Sequence, residues 1–128
     1  MNASPVIVTL ELSPPRVRVV LPRVLTANAV DEALASLPAL LAPLASAPEV
    51  SLIVDTRALR EGEDAALEQL GDLERLVGQT VQVMRVARLV ASEALVADAN
   101  AHSKAAGIDR VLQAFTDEAE AIAFLEPQ

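Results

Sequence analysis

Asp55, Glu61, Glu63 and Asp64 put four carboxylates within ten positions of the chain. Hard divalent cations prefer oxygen ligands of this kind, but the spacing is not that of an EF-hand loop. A simpler chemistry fits the same residues. Asp55 accepts backbone N–H groups where a strand turns toward a helix, with Arg57 or Arg60 as its ion-pair partner. Glu61, Glu63 and Asp64 are then first-turn acids that complement the helix dipole. The only histidine, His102, follows Asp98 by four residues, which sets both on one helix face. A general base held by a carboxylate has this form, and so does an ordinary surface pair. Cysteine is absent, which excludes disulfides, thiolate metal sites and thiol nucleophiles. One histidine among scattered carboxylates is a poor transition-metal set. Ser92 and Ser103 are hydroxyls without an identifiable base. Ser92 reads as a helix N-cap before it reads as part of an anion site. The expectation is a protein with no catalytic residue, no metal and no cofactor.

The elements that position these residues follow from the apolar pattern. Val6 to Leu12 alternates, with Val6, Val8, Leu10 and Leu12 on one side, and Arg16 to Leu21 alternates again. Ser13-Pro14-Pro15 between them cannot feed a ladder, so the pair predicts an antiparallel hairpin. Arg16 and Arg18 are expected on its solvated face. Val30, Leu34, Leu37, Leu41 and Leu44 recur at helical spacing behind a cap at Thr26 or Asn28, with a break or kink expected near Pro38. Val50 to Val54 is a continuous apolar run, the mark of a central strand buried on both faces. Glu61 to Val77 predicts an amphipathic helix with Ala66, Leu70, Leu73 and Val77 inward, ended by Gly78. Gln82 to Ala91 is the next strand, and its Arg85 and Arg88 have opposite parity. Glu93 to Ala106 is a helix ended by Gly107. Arg110 to Phe115 is a last strand. A final helix starts at Thr116-Asp117-Glu118 with a side-chain cap, and Ala119, Ile122, Ala123 and Leu125 supply its apolar surface. The order β-β-α-β-α-β-α-β-α predicts an α/β domain with a mixed sheet, antiparallel in its first hairpin and parallel in its later βαβ units. The whole chain reads as one domain, ordered from about 6 to 125, with loose ends at Met1–Ser4 and Glu126–Gln128.

This order resembles the STAS domain, the fold of bacterial anti-sigma-factor antagonists and their SpoIIAA-like relatives. Leu52-Ile-Val-Asp55 is similar to the family's strand ending in Asp. Arg110-Val-Leu-Gln-Ala-Phe-Thr-Asp-Glu-Ala-Glu-Ala-Ile-Ala-Phe-Leu125 is similar to its closing strand and helix. The resemblance implies a regulatory serine in an Asp-Ser pair at the start of the helix after the Asp-terminated strand. Counted without gaps from Asp55, that pair falls on Glu63 and Asp64, so no hydroxyl stands there. The phosphorylation switch is therefore not expected, and two carboxylates are only a crude imitation of a phosphate's charge and oxygens.

Composition narrows the function further. The 128 residues carry a net charge of −8, with their basic residues scattered, so nucleic acid is repelled. The aromatic residues are Phe115 and Phe124 alone, which leaves no platform for base stacking. No secretory leader and no apolar run of roughly 20 residues is present, so a cytoplasmic protein without a membrane span is expected. The stretch between Leu34 and Pro48 is almost uncharged and holds Pro38 and Pro43. It is either core or a contact surface for a partner, a second copy or an apolar ligand, with Leu34, Leu37 and Leu41 as its lining. The leading expectation is a non-enzymatic regulatory or protein-interaction module. Its surface would comprise Asp55, Thr56, Arg57, Glu61, Glu63 and Asp64, and its partner would be another protein or a homodimer mate. The alternative is a binding module for an apolar or lipid-like molecule, with peripheral membrane association.

Overall fold

The computed structural model describes residues 4–126. Apart from Ser4 and Glu126, the ends expected to be loose lie outside the described residues. β1 (Ile7–Leu12) and β2 (Pro15–Val20) form the antiparallel hairpin, in register from Ile7 opposite Val20 to Leu12 opposite Pro15. β3 (Val24–Leu25) leads into α1 (Ala27–Leu41), and a short 3-10 turn spans Ala42–Leu44. β4 (Val50–Asp55), β5 (Glu61–Gly62) and α2 (Asp64–Thr80) follow. β6 (Val83–Leu89), α3 (Glu93–Ala105), β7 (Leu112–Phe115) and α4 (Glu118–Leu125) complete the chain. The main sheet has the order β1-β2-β4-β6-β7, and every pairing after the first hairpin is parallel. This is the mixed α/β sheet that the pattern predicts.

Strand parity assigns the two sides of the sheet. Val17 and Val19 of β2 and Leu52 and Val54 of β4 face α1 and α2, where Val30, Leu37, Leu41, Leu73 and Val77 close the larger core. Ile53, Ala87 and Leu89 point the other way and pack on Ala121 and Leu125 of α4. β4 is therefore buried on both faces, as its unbroken apolar run requires.

Several local expectations are corrected. Arg16 and Arg18 do lie opposite Val17 and Val19, on the side where Ile7, Thr9 and Glu11 of β1 are exposed, but the two arginines themselves are not solvated. Arg16 is only 5% exposed, and Arg18 reaches Glu118 on α4 at 2.7 Å. Hairpin periodicity cannot foresee that a helix about 100 residues later covers this face. Pro38 does not break α1, which gives way only at Ala42–Leu44. Proline removes one donor, and burial of Ala33, Leu37 and Leu41 holds the helix to the core around it. Gly78 does not end α2 either. The helix runs on to Thr80, whose hydroxyl donates to the Leu76 carbonyl at 2.8 Å. No Asp117 side-chain cap forms on α4, and its buried residues are Ala121 and Leu125, while Ala119 and Ala123 are exposed.

Candidate functional site

The C-terminal end of β4 delivers Asp55, and the next residues turn back on it. Asp55 Oδ1 accepts the Arg57 backbone N–H and the Arg57 Nε–H, both at 3.0 Å. Arg57 Nη2 donates to Asp55 Oδ2 at 2.8 Å. A bidentate guanidinium fork on a carboxylate combines charge with fixed geometry. Burial pushes the Asp55 carboxyl up, but the hydrogen bonds and charge of Arg57 outweigh it and hold the carboxyl below its ordinary value. Asp55 is thus an ionised, fully partnered acceptor, not a proton carrier. Arg57 also lies 3.6 Å from Glu118, which binds Arg18. The four charges Asp55, Arg57, Glu118 and Arg18 form one chain of alternating sign across β4, β2 and α4. The Asp55–Arg57 pair is legible two residues apart in the sequence. The link through Glu118 is not, because the chain alone does not say where α4 lands.

Thr56 is half-buried, and its backbone N–H and hydroxyl both donate to the Leu89 carbonyl at 2.8 Å. Arg60 is not the partner of Asp55. Its Nη1 donates to the carbonyls of Arg57 and Leu59 at 2.8 and 3.0 Å.

The acidic stretch departs from a simple first turn. Glu61 and Gly62 form β5, which pairs parallel with Val24 and Leu25 of β3. The backbone N–H groups of Arg60 and Glu61 donate to the Arg23 carbonyl, and that of Glu63 to the Leu25 carbonyl. Glu63 is the N-cap residue of α2 yet makes no side-chain cap there. Its Oε1 instead accepts the Ala27 N–H at 2.7 Å, at the start of α1. Thr26 caps the same helix by accepting the Ala29 N–H at 3.2 Å. Only Asp64 is a first-turn acid of α2. Ala58 and residues 60–65 are all exposed. The connection between β4 and α2 is therefore an exposed acidic ridge tied down along its backbone. Asp55 and Glu63 are each committed to their own donors. Among the described residues no group of three or more His, Asp or Glu is placed to hold a metal ion.

The remaining candidates have ordinary surroundings. His102 Nδ1 lies 2.8 Å from the Asp98 carbonyl and 3.9 Å from Asp98 Oδ1, and both side chains are highly exposed. Ser92 caps α3 by accepting the Leu95 N–H at 3.3 Å. Gly107 follows α3 with φ of 74°, where a side chain would be strained. Leu37 and Leu41 are fully buried in the larger core and Leu34 is packed against it. Arg85 and Arg88 leave opposite sides of β6. Arg85 lies over Phe124 of α4 and donates to its carbonyl at 2.6 Å, and Arg88 meets Glu74 of α2 at 2.9 Å. No helix among the described residues is long and apolar enough to cross a membrane.

Sheet order, helix placement and the Asp-terminated central strand define a SpoIIAA-like α/β fold. Among solved structures, a similar one is an uncharacterized protein of the DUF3478 family from Shewanella loihica PV-4, itself described as having a SpoIIAA-like fold. It superposes with a TM-score of 0.72 over 98% of each chain, at 17% sequence identity. Likeness at that identity establishes the shared fold. No protein-family model matches the sequence, and no curated protein does.

Proposed function

We propose that this domain is a non-enzymatic regulatory or protein-interaction module working through the exposed ridge at Glu61–Asp64, with Asp55 buried and paired to Arg57 behind it, and without a phosphoserine switch. The observation that carries the reading is exposure combined with restraint at Glu61–Asp64. These residues are open to solvent, while β3 fixes their backbone through the bonds to Arg23 and Leu25. A pre-formed surface binds with less ordering entropy than a mobile loop. Its carboxylates would select a partner with complementary basic charge, chiefly through the rate of encounter. That partner is another protein or a second copy of this chain.

The test is a quantitative co-purification from cell lysate with wild type and Glu61→Gln/Asp64→Gln, beside sedimentation analysis of each. Loss of specific partners, or of self-association, in the double variant with an unchanged fold is the expected result. Equal recovery and equal oligomeric state would overturn the reading.

A further inference from the structure

Strand register sets one row of side chains across the main sheet, near the N-terminal ends of β2, β4 and β6. Glu11 of β1 stands opposite Arg16 of β2, Arg16 opposite Ser51 of β4, and Ser51 opposite Arg85 of β6. The row lies on the face that α4 covers farther along, where Ala121 and Leu125 pack on Ile53, Ala87 and Leu89. α4 ends at Leu125, beside the row. The space there is a cavity of about 310 Å³ that shares no residue with the acidic ridge. It stands at the low end of the roughly 300–1,000 Å³ range of small-molecule sites. Pro15, Met84 and Leu125 give it apolar walls.

The two arginines of the row differ. Arg16 is committed: its Nε–H donates to Ser51 Oγ at 3.2 Å and its Nη1 to Glu11 at 3.3 Å. The Ser51 hydroxyl accepts that bond and keeps its own proton to donate. Arg85 is held from behind. Its Nη1 donates to the Phe124 carbonyl at 2.6 Å, and its guanidinium lies 5.4 Å from the Phe124 ring centroid. The opposite edge, Nε–H and Nη2–H, has no acceptor among the described residues, and neither atom is shut off from solvent. Arg57 grips Asp55 with this same edge. Arg85 has no ion-pair partner among the described residues, and neither have Glu49 and Glu126, the two exposed carboxylates that line the cavity. A simple anion on Arg85 would also meet both glutamates, and a simple cation on the glutamates would meet Arg85. A ligand that carries both charges avoids either repulsion. A carboxylate fits the open guanidinium edge bidentately, and an ammonium supplies three donors to the glutamates.

We propose that this cavity binds a small α-amino acid with an apolar side chain. Arg85 and the Ser51 hydroxyl hold its carboxylate, Glu49 and Glu126 its ammonium, and Pro15, Met84 and Leu125 its side chain. The probe is leucine, titrated into the ¹⁵N-labelled full chain and followed by amide and arginine Nε–H resonances. The expected result is a saturable shift of the Arg85 Nε–H together with the amides of Ser51 and Met84. 3-Methylbutylamine lacks the carboxylate and should bind about tenfold more weakly. 4-Methylpentanoate lacks the ammonium and should bind about threefold to fivefold more weakly, because the glutamates are exposed. Arg85→Gln should abolish the leucine shifts. Arg85 also braces Phe124, so the exposed pair Glu49→Gln/Glu126→Gln is the second variant. It should weaken leucine by the same factor of about three to five and leave 4-methylpentanoate undiminished. Absence of shifts at this cavity up to the solubility of leucine would overturn the proposal. So would either leucine analogue binding as tightly as leucine, or a folded variant of either kind that binds leucine like wild type.

Discussion

The Glu63 carboxylate accepts the Ala27 N–H at 2.7 Å, so the residue that precedes α2 caps α1. Two helix starts are thereby coupled through one side chain, and the ridge that carries the proposed interaction is also a structural joint. Glu63→Ala is expected to cost about 0.5–2 kcal/mol, the usual range for a lost N-cap. Glu63→Gln keeps an acceptor oxygen and should cost less. Glu61→Gln and Asp64→Gln should each stay within about 0.5 kcal/mol, as exposed surface changes do. Urea denaturation of the four variants checks this ordering, and a Glu63→Ala protein as stable as wild type would refute it.

Asp55 sets an acid limit on stability. Its folded pKa lies below the ordinary value of 3.8. Its contribution is therefore present above the unfolded value and lost as the pH falls through the folded pKa. Arg57→Ala removes all side-chain bonds to Asp55 and leaves the upward push of burial. The carboxyl should then titrate at higher pH, and acid unfolding should begin earlier. At pH 7 the loss should be about 1–3 kcal/mol, toward the lower end because the Arg57 side chain is 39% exposed and screened. Unfolding curves across pH 2–7 would show the shift, and superimposable acid transitions would count against it.

Glu74 has the opposite sign. Burial raises its folded pKa above 4.5, with Arg88 opposing. Ionisation is then less favourable in the folded than in the unfolded chain, so stability declines as the pH rises from the unfolded value through the folded pKa. Glu74→Gln should accordingly match or exceed wild type in stability at pH 7, with the advantage shrinking toward pH 4. A Glu74→Gln protein less stable than wild type by more than about 1 kcal/mol at pH 7 would show that the Arg88 bridge outweighs burial.

Thr56 is the hydroxyl nearest the ridge, but it is half-buried and donates to the Leu89 carbonyl at 2.8 Å. A phosphate there would lose that bond and place about −1.5 to −2 charge beside Asp55. Incubation with serine/threonine kinases followed by intact-mass analysis should find no stoichiometric phosphate in the segment 55–67. A phosphate mapped to Thr56 would restore the idea of a covalent switch.

What the sequence determined on its own is local. Alternation in Val6–Leu12 and Arg16–Leu21, the apolar run of Val50–Val54 and the stripe of Ala66, Leu70, Leu73 and Val77 each specify a backbone conformation and an inward face. Those patterns were enough to place Asp55 at a strand end beside Arg57, to set Arg85 and Arg88 on opposite faces, and to predict the mixed sheet. Tertiary structure decided where the polar side chains find partners. Glu63 meets Ala27 from 36 residues away, Arg18 meets Glu118 from 100, and Arg85 meets Phe124 from 39. Periodicity reports which side of an element is buried, but not which element buries it or which donor waits there. The same reason explains why Pro38 and Gly78 fail as stops. Propensity is worth about 1 kcal/mol for Gly and 3 for Pro, and burial of Leu37, Leu41 and Val77 outweighs it.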